Sequence, residues 1–238
     1  MTMLIRSITD IGNDRNYNDD SCYYDERKEL MVMADGMGGY SGGRVASAIA
    51  VKIFQTHYMG ITEETYQQDL KDLFMMCNQE IISAAKRNEN YKEMGTTLTV
   101  LCFHEDRYYI GHVGDSRAYL CRGGKLTRMT NDHNLVGELL KSRQISKKDA
   151  QHHPGKNMLT RVVGRNPLSE IDFYTGEARK DDLYLLCTDG ISGYLDDKKI
   201  AGIIKNSNHL EQSLNLLVKK VLDRKGRDNL TAILAKKL

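Results

Sequence analysis

The stretch that decides the fold is Leu-Met-Val-Met-Ala-Asp-Gly-Met-Gly-Gly-Tyr-Ser-Gly-Gly, which runs from Leu30 to Gly43. Its apolar beginning, Leu30 to Ala34, has the length and composition of a buried strand. The strand is predicted to stop at Asp35, because five glycines follow within eight residues. Beyond the glycines, apolar residues recur at the spacing of a helix that packs closely against the strand. These residues are Val45, Ala46, Ile49, Ala50 and Ile53.

A glycine-rich turn of this kind can bind a phosphate, but neither nucleotide-binding pattern is present. Counted from Gly36, the sixth position of the dinucleotide pattern is Ser41, where glycine is required, and no Gly-Lys-Ser/Thr follows. Asp35 would also repel a phosphate unless a cation lay between them. The turn therefore indicates a metal site if other carboxylates converge on it, and otherwise an ordinary turn before a helix.

Composition narrows the class of protein. With 238 residues, two prolines and no low-complexity stretch, the chain is predicted to form one domain, residues 1–238, with a substantial core. A net charge of +2 gives no support for nucleic-acid or acidic-membrane binding. No signal-peptide core is seen and no apolar run approaches the roughly 18 residues of a membrane span, so a cytoplasmic protein is expected. The five scattered cysteines indicate reduced core residues.

The rest of the chain alternates between strand-rich and helical segments. Strands are predicted at residues 3–8, 21–24, 97–103, 108–113, 117–121, 125–129, 171–176, 183–187 and 230–235. Helices are predicted at residues 62–88, 197–204 and 209–222. The irregular segment at about 131–164 is interpreted as a surface flap. Its histidines, His133 and the pair His152-His153, lack metal-ligand spacing and are interpreted as loop residues.

Five aspartates fall at predicted strand ends or strand-edge turns, where distant parts of a sheet protein can meet. They are Asp20, Asp35, Asp115, Asp189 and Asp228. A pair of carboxylates roughly 4 Å apart would cost about 4 kcal/mol at an effective dielectric of about 20, so a converged cluster requires cations. Oxygen ligands without histidine or thiolate favour Mg²⁺ or Mn²⁺ over zinc.

Eight motifs in this order make the sequence resemble the metal-dependent serine/threonine protein phosphatases of the type 2C (PPM) family, in their compact bacterial form. The motifs are Thr9–Asp20, Ala34–Gly39, Gly95–Thr97, Gly111–Arg117, Asp132–His133, Leu159–Gly164, Thr188–Ile191 and Asp228–Thr231. Each motif is weak alone. Together they cover nearly the whole chain in the order of the family, which argues strongly against a chance match.

The resemblance implies an α+β fold, a four-layer α-β-β-α sandwich with two central antiparallel β-sheets flanked by helices. The clustering of predicted strands and helices agrees with this fold. The resemblance also implies two core Mn²⁺ or Mg²⁺ ions. Asp35 would bridge them, the Gly36 carbonyl would bind one, and Asp189 and Asp228 would complete the shell of the other.

Further roles follow from the same resemblance. Asp20 would hold metal-bound water, Asp115 with Asp189 would bind a weaker third ion, and Arg15 would clamp the substrate phosphate. The implied activity is hydrolysis of phosphoserine and phosphothreonine by in-line attack of a hydroxide that bridges the two ions. The expected partners are phosphorylated proteins, namely a bacterial serine/threonine kinase and its substrates, and the protein is expected to be a monomer.

Three positions depart from the family pattern. Met37 stands where some members have a histidine proposed as the general acid, so the proton donor is unassigned, with a metal-bound water or His133 as the alternatives. Tyr40 stands where a histidine is frequent. Asp19 replaces the usual glutamine or glutamate. Neither of the last two changes removes a ligand.

Three other functions are alternatives to this one. A cysteine-dependent phosphatase needs Cys-x5-Arg, but the required position is Lys28 after Cys22 and Tyr108 after Cys102. A non-catalytic binding module on the same fold would normally have lost metal-binding acids, and all of them are present. A nucleotide-binding domain is disfavoured by the spacing of the glycines.

Overall fold

The computed structural model describes residues 3–39, 41–150, 153–205 and 209–238. Two residues named above, Tyr40 and His152, lie outside these ranges. The strands are β1 (Met3–Asp10), β2 (Asp20–Asp25), β3 (Leu30–Met37), β4 (Gly95–Thr96), β5 (Leu98–His104), β6 (Arg107–Val113), β7 (Arg117–Arg122), β8 (Lys125–Arg128), β9 (Asp172–Glu177), β10 (Leu183–Cys187) and β11 (Leu230–Lys237). The helices are α1 (Gly42–His57), α2 (Tyr66–Arg87), α3 (Leu135–Lys141), α4 (Lys147–Ala150), α5 (Asp189–Ser192), α6 (Asp197–Ile204) and α7 (Leu210–Leu222), with a 3₁₀ turn at Glu89–Tyr91.

Within the described residues, the strands form two antiparallel sheets. The first sheet has the order β1-β11-β10-β7-β8, and the second has the order β2-β3-β5-β6-β9, with β4 paired to the end of β3. The chain passes from the second sheet to the first between β6 and β7, through residues 114–116. Because Asp115 lies in this connection, it is placed where the two sheets meet.

The alternation of side chains along β3 explains why its sequence is a continuous apolar run. Leu30 and Val32 pack into the core between the second sheet and the helices. Met31 and Met33 point the other way, into the core between the two sheets. Since successive side chains of a strand face opposite sides, a strand that is covered on both faces needs apolar residues at every position.

Helices cover the outer face of each sheet. α1 and α2 pack on the second sheet through a buried stripe, in which the rings of Phe54 and Phe74 meet edge to face with centroids 5.9 Å apart. α6 and α7 pack on the first sheet through apolar residues such as Ile200 and Leu217. The order is helices, sheet, sheet, helices, so the predicted α-β-β-α sandwich is confirmed.

Two local predictions were wrong. β3 does not stop at Asp35: it continues to Met37, because Gly36 and Met37 pair with Thr96 and Gly95 of β4. Glycine weakens a strand but does not end it when a partner is available. The segment at 131–164 is also less irregular than expected, since it contains α3 and α4. No helix among the described residues is both long enough and apolar enough to cross a membrane.

Candidate active site

The fold brings the five aspartates to one end of the sandwich. Asp189 lies two residues after the end of β10 and Asp228 lies two residues before β11; these strands are antiparallel neighbours, so the two aspartates share an end. Asp20 begins β2 and lies directly opposite Asp35 in the register of β2 and β3. Asp115 joins them from the connection between the sheets. Four distant parts of the sequence therefore contribute to one cluster.

The carboxylates of this cluster lie near one another and are buried or half-buried. Burial is the largest cause that raises the pKa of Asp20 and of Asp189, each to about 7, and that of Asp115 to about 6. The pKa of Asp35 is raised well above its usual value, first by burial and then by the negative charges of the other four aspartates. The cluster therefore carries negative charge that the described protein compensates only in part.

Hydroxyl groups hold the Asp20 carboxylate and the backbone of Asp35 in place. Thr188 donates its Oγ1 hydrogen to Asp20 Oδ2 at 2.9 Å, which links the end of the first sheet to the start of β2. Asp35 donates its backbone N–H to Thr97 Oγ1 at 2.9 Å, and Thr97 Oγ1 lies 2.9 Å from Ser116 Oγ. These contacts tie both sheets together directly behind the aspartates. No role for the three hydroxyls is predictable from the sequence, although each lies within a motif.

Asp115 is held by the first residues of the flap. Asn134 Nδ2 donates to Asp115 Oδ2 at 3.1 Å. His133 N donates to the Gly114 carbonyl at 2.8 Å, and His133 Nδ1 accepts from Gly114 N at 3.2 Å. His133 Nε2 lies 3.2 Å from Asp172 Oδ2, within ion-pair distance but without hydrogen-bond alignment. Since both ring nitrogens face Gly114 and Asp172, His133 supports the loop of Asp115.

Gly36 allows the end of β3 to touch the beginning of α1. A Cβ atom on Gly36 would lie 2.0 Å from the carbonyl oxygen of Gly43, a distance that no side chain can adopt. Gly36 N donates to the Asp19 carbonyl at 3.1 Å, so the same glycine also contacts the residue before Asp20. The glycine-rich turn thus brings α1 against the end of β3, as predicted from the glycines and the apolar spacing that follows them.

Arg15 contacts the cluster directly. Its Nη2 atom lies 2.8 Å from Asp228 Oδ1, and the arginine side chain is 49% exposed. Burial lowers the pKa of Arg15, but the hydrogen bond and the charge of Asp228 outweigh it and raise the pKa above its usual value. Arg15 is therefore at the site, as the sequence predicts, but it binds a predicted metal ligand.

A buried asparagine fixes the loop that carries Arg15. Asn229 Nδ2 donates to the carbonyls of Ile11 and Tyr17 at 3.0 and 2.9 Å. Asn229 Oδ1 accepts from Asp19 N at 2.8 Å. One side chain thus makes contacts on both sides of Arg15. Its place beside Asp228 in a motif was the only signal of this role in the sequence.

The donors at this site fit a hard divalent cation, because they are carboxylate oxygens together with a backbone carbonyl at Gly36. In the described parts of the chain, however, no group of three or more His, Cys, Asp or Glu side chains is arranged to hold an ion as it stands. Asp228 is held by Arg15. A bound ion would therefore require carboxylates, Asp228 among them, to turn inward.

Comparison with known families identifies the scaffold. The sequence profile described as protein phosphatase 2C matches residues 13–235, which include all five aspartates and Arg15. The chain belongs to the protein phosphatase 2C family. The family predicted from the eight motifs is therefore confirmed.

Relatives and solved structures agree over nearly the full chain. The serine/threonine phosphatase stp of Listeria monocytogenes is 33% identical over 236 residues, covering 96% of this chain and 94% of that protein. The crystal structure of the Mycobacterium tuberculosis serine/threonine phosphatase PstP/Ppp is 30% identical, with a TM-score of 0.93 over 100% of this chain and 99% of that one. The catalytic domain of PstP in complex with two manganese ions is 29% identical, with a TM-score of 0.89 over 99% and 98%.

Proposed function

We propose that the carboxylate cluster hydrolyses phosphoserine and phosphothreonine in proteins with the aid of divalent metal ions. The relatives of this chain in the protein phosphatase 2C family are serine/threonine phosphatases, the class of enzyme that the sequence motifs predict. The observation that carries the proposal is the convergence of five aspartates, in which the other four negative charges raise the pKa of Asp35 and those of Asp115 and Asp228 raise the pKa of Asp189. At neutral pH such a cluster is favourable in its fully ionised form when bound cations offset its charge.

Specific residues would hold the ions. Asp35 would bridge two of them, the Gly36 carbonyl would bind one, and Asp189 and Asp228 would bind the other. The two manganese ions in the PstP complex support a pair of Mn²⁺ or Mg²⁺ ions here. Asp115, held by Asn134, would bind a weaker third ion together with Asp189. When bound, such ions supply a water-derived nucleophile at neutral pH and offset negative charge on the phosphoryl oxygens.

The protein's own side chains would position the reactants. Asp20 is fixed by Thr188 at 2.9 Å, so its carboxylate can orient a water molecule at the site. Arg15 is half exposed at the mouth of the cluster, and its planar guanidinium can clamp two oxygens of the substrate phosphate. The proton donor to the leaving alkoxide is unassigned, because Met37 cannot donate a proton and His133 faces Gly114 and Asp172.

Substrate choice is assigned to the flap at about 131–164. Its first residues bind the loop of Asp115, and Thr96 pairs with Val163 at its far end, so both ends reach the site. The proposed substrates are a bacterial serine/threonine kinase and its targets. The protein itself is proposed to be a cytoplasmic monomer with a single domain, residues 1–238.

A replacement within the flap tests its role in substrate choice. Replacing residues 142–150 by a Gly-Ser sequence of equal length leaves both ends of the flap intact. It should change the preference among phosphopeptides but not the hydrolysis of a small aryl phosphate.

The experiment that tests the function measures phosphate release from a phosphothreonine peptide, with Mn²⁺ and with EDTA, for the wild type and Asp189→Asn. Turnover that requires the metal and is lost in Asp189→Asn would support the two-metal phosphatase. No turnover with any divalent ion, in a folded protein that binds metal, would instead favour a binding module. Asp196→Asn is the matched control, because Asp196 is an exposed helix cap outside the cluster.

A further inference from the structure

An exposed arginine and an exposed tyrosine lie together at the rim of the site. The guanidinium carbon of Arg44 is 5.5 Å from the centroid of the Tyr17 ring, which is cation–π distance. Tyr17 is 57% exposed, although an aromatic side chain as large as tyrosine usually buries most of its ring. Tyr17 lies in the loop of Arg15, two residues further along, and its carbonyl is fixed by Asn229. The pair is thus joined to the predicted phosphate clamp through the same short loop.

Arg44 is placed beside the site by the glycine-rich turn. It directly follows Gly43, whose carbonyl oxygen would lie 2.0 Å from a Cβ atom on Gly36. Asp19 lies near both Arg44 and Arg15. Burial raises the pKa of Asp19, whereas the backbone N–H of Arg44 and the guanidiniums of both arginines act in the opposite direction. Arg44 and Arg15 are therefore neighbours across one carboxylate.

The Arg44 guanidinium makes no direct ion pair within the described parts of the chain. Arg15, Arg117 and Arg161 each lie within 3.0 Å of an aspartate oxygen, whereas no ion pair of Arg44 is found there. Asp19 Oδ1 is buried without a hydrogen-bond partner among the described residues, and the Asp19 carboxylate accepts from the backbone N–H of Arg44, not from its guanidinium. The donors of the Arg44 guanidinium are open to a molecule that approaches the site.

The position of Arg44 does not favour helix stability. It lies in the first turn of α1, which has no acidic residue, and the positive end of the helix dipole repels a cation there. Arg44 is nevertheless held over an aromatic ring at the edge of a reaction site. A cation fixed at such a position is suited to bind an anionic group of the substrate other than the phosphate that reacts.

We propose that Arg44, oriented by Tyr17, determines specificity by binding a glutamate or aspartate near the phosphorylated residue of the protein substrate. This inference rests on the proposed phosphatase function and adds a substrate class to it: phosphoproteins with an acidic side chain close to the phosphoserine or phosphothreonine. Arg15 holds the phosphate, and Arg44 binds the neighbouring carboxylate with the planar donor pattern that matches it.

The test compares phosphothreonine peptides that carry one glutamate, or one lysine, at each position within three residues of the phosphothreonine. The kcat/KM ratio of glutamate to lysine peptide is measured with Mn²⁺ for the wild type, Arg44→Gln and Arg44→Glu. At low ionic strength the wild type should prefer glutamate by about fivefold at one position, as an exposed ion pair allows. Arg44→Gln should bring the ratio close to one, and Arg44→Glu should reverse it.

Lys52→Glu is the matched control, because Lys52 is exposed on the same helix and the substitution changes the net charge by the same amount as Arg44→Glu. It should retain the preference for glutamate. Equal shifts in Lys52→Glu and Arg44→Glu, or phosphate release by the wild type without a charge preference, would overturn this inference alone. No release by the wild type from any peptide with Mn²⁺ would overturn the proposed function, and the inference with it.

Discussion

Arg15 Nη2 lies 2.8 Å from Asp228 Oδ1, so the residue predicted to clamp the phosphate binds a residue predicted to ligate a metal. Both side chains are partly exposed, at 49% and 34%, which makes this ion pair weak enough to exchange. The guanidinium supplies positive charge to a cluster of buried carboxylates. A metal ion would take over that function and release Arg15 towards the substrate.

This exchange predicts opposite effects of Arg15→Ala on metal and on substrate. Without the guanidinium, Asp228 has no competing partner, so Mn²⁺ should bind about two- to fivefold more tightly. The KM for a phosphopeptide should rise, because the clamp is lost, while kcat should change little. Calorimetric titration with Mn²⁺ and steady-state kinetics measure the two effects. Weaker Mn²⁺ binding, or a large loss confined to kcat, would contradict this account.

Metal binding should also stabilise the fold. At 100 times its Kd, an ion that binds only the folded state adds about 2.7 kcal/mol to the free energy of unfolding. Asp189→Asn should abolish turnover and most of this gain, whereas the exposed Asp196→Asn should retain it. Thermal unfolding with Mn²⁺ and with EDTA measures the gain. A melting temperature that saturating Mn²⁺ leaves unchanged in the wild type would count against the cluster as a metal site.

The stabilisation by metal should grow with pH. In the metal-free protein, burial raises the pKa of Asp20 and Asp189 to about 7, above the usual value of 3.8. A raised carboxyl pKa means that the folded state holds its protons more tightly, so stability falls as pH rises through about 7. A bound cation removes this loss. The melting-temperature difference between Mn²⁺ and EDTA should therefore be larger at about pH 8 than at about pH 6.5; a constant difference would contradict the prediction.

His112 should cause a separate loss of stability in acid. It is fully buried, between Thr99 Oγ1 at 2.8 Å and the Asn131 carbonyl at 3.0 Å, and burial lowers its pKa from 6.5 to about 3. A lowered histidine pKa means that the unfolded state binds the proton more tightly, so stability falls as pH drops below 6.5. The free energy of unfolding, measured with urea at several pH values, should depend less steeply on pH in His112→Gln than in the wild type. An unchanged pH dependence of the free energy of unfolding would exclude this histidine as the cause.

Much of the site is predictable from local patterns. Asp35 and Asp189 each come at the end of an apolar run and precede a glycine, so their place near a sheet edge can be inferred without a structure. The same local pattern led to the wrong end for β3, because a glycine after an apolar run usually marks a turn. The pairing of Gly36 with Thr96, which extends the strand, depends on a segment 60 residues away.

The residues that position the carboxylates could not be predicted in this way. Asn134 binds Asp115 and Thr188 binds Asp20, contacts that depend on how two sheets meet and not on any period of the sequence. Their motifs mark them as candidates without giving them a partner. The contact between Arg15 and Asp228 is of the same kind, because it joins the two ends of the chain.

Asn229 offers the sharpest test of this positioning. Its amide makes three hydrogen bonds, to Ile11, Tyr17 and Asp19, that hold the loop of Arg15. Asn229→Ala should lower the free energy of unfolding by about 2–4 kcal/mol, since buried backbone groups lose their partners. It should also raise the KM for a phosphopeptide, because Arg15 is no longer held in position.

Two measurements on Asn229→Ala separate a structural role from a positioning role. The first is the free energy of unfolding, and the second is the KM for a phosphopeptide under conditions in which the variant is fully folded. Asn215→Ala is the control, because Asn215 is exposed on α7, and it should alter neither quantity appreciably. If Asn229→Ala lost stability but kept the wild-type KM, the loop would hold Arg15 without Asn229.

Asn229→Ala should also affect metal binding. A looser loop weakens the pair between Arg15 and Asp228, so the variant should bind Mn²⁺ more tightly than the wild type, as is expected for Arg15→Ala.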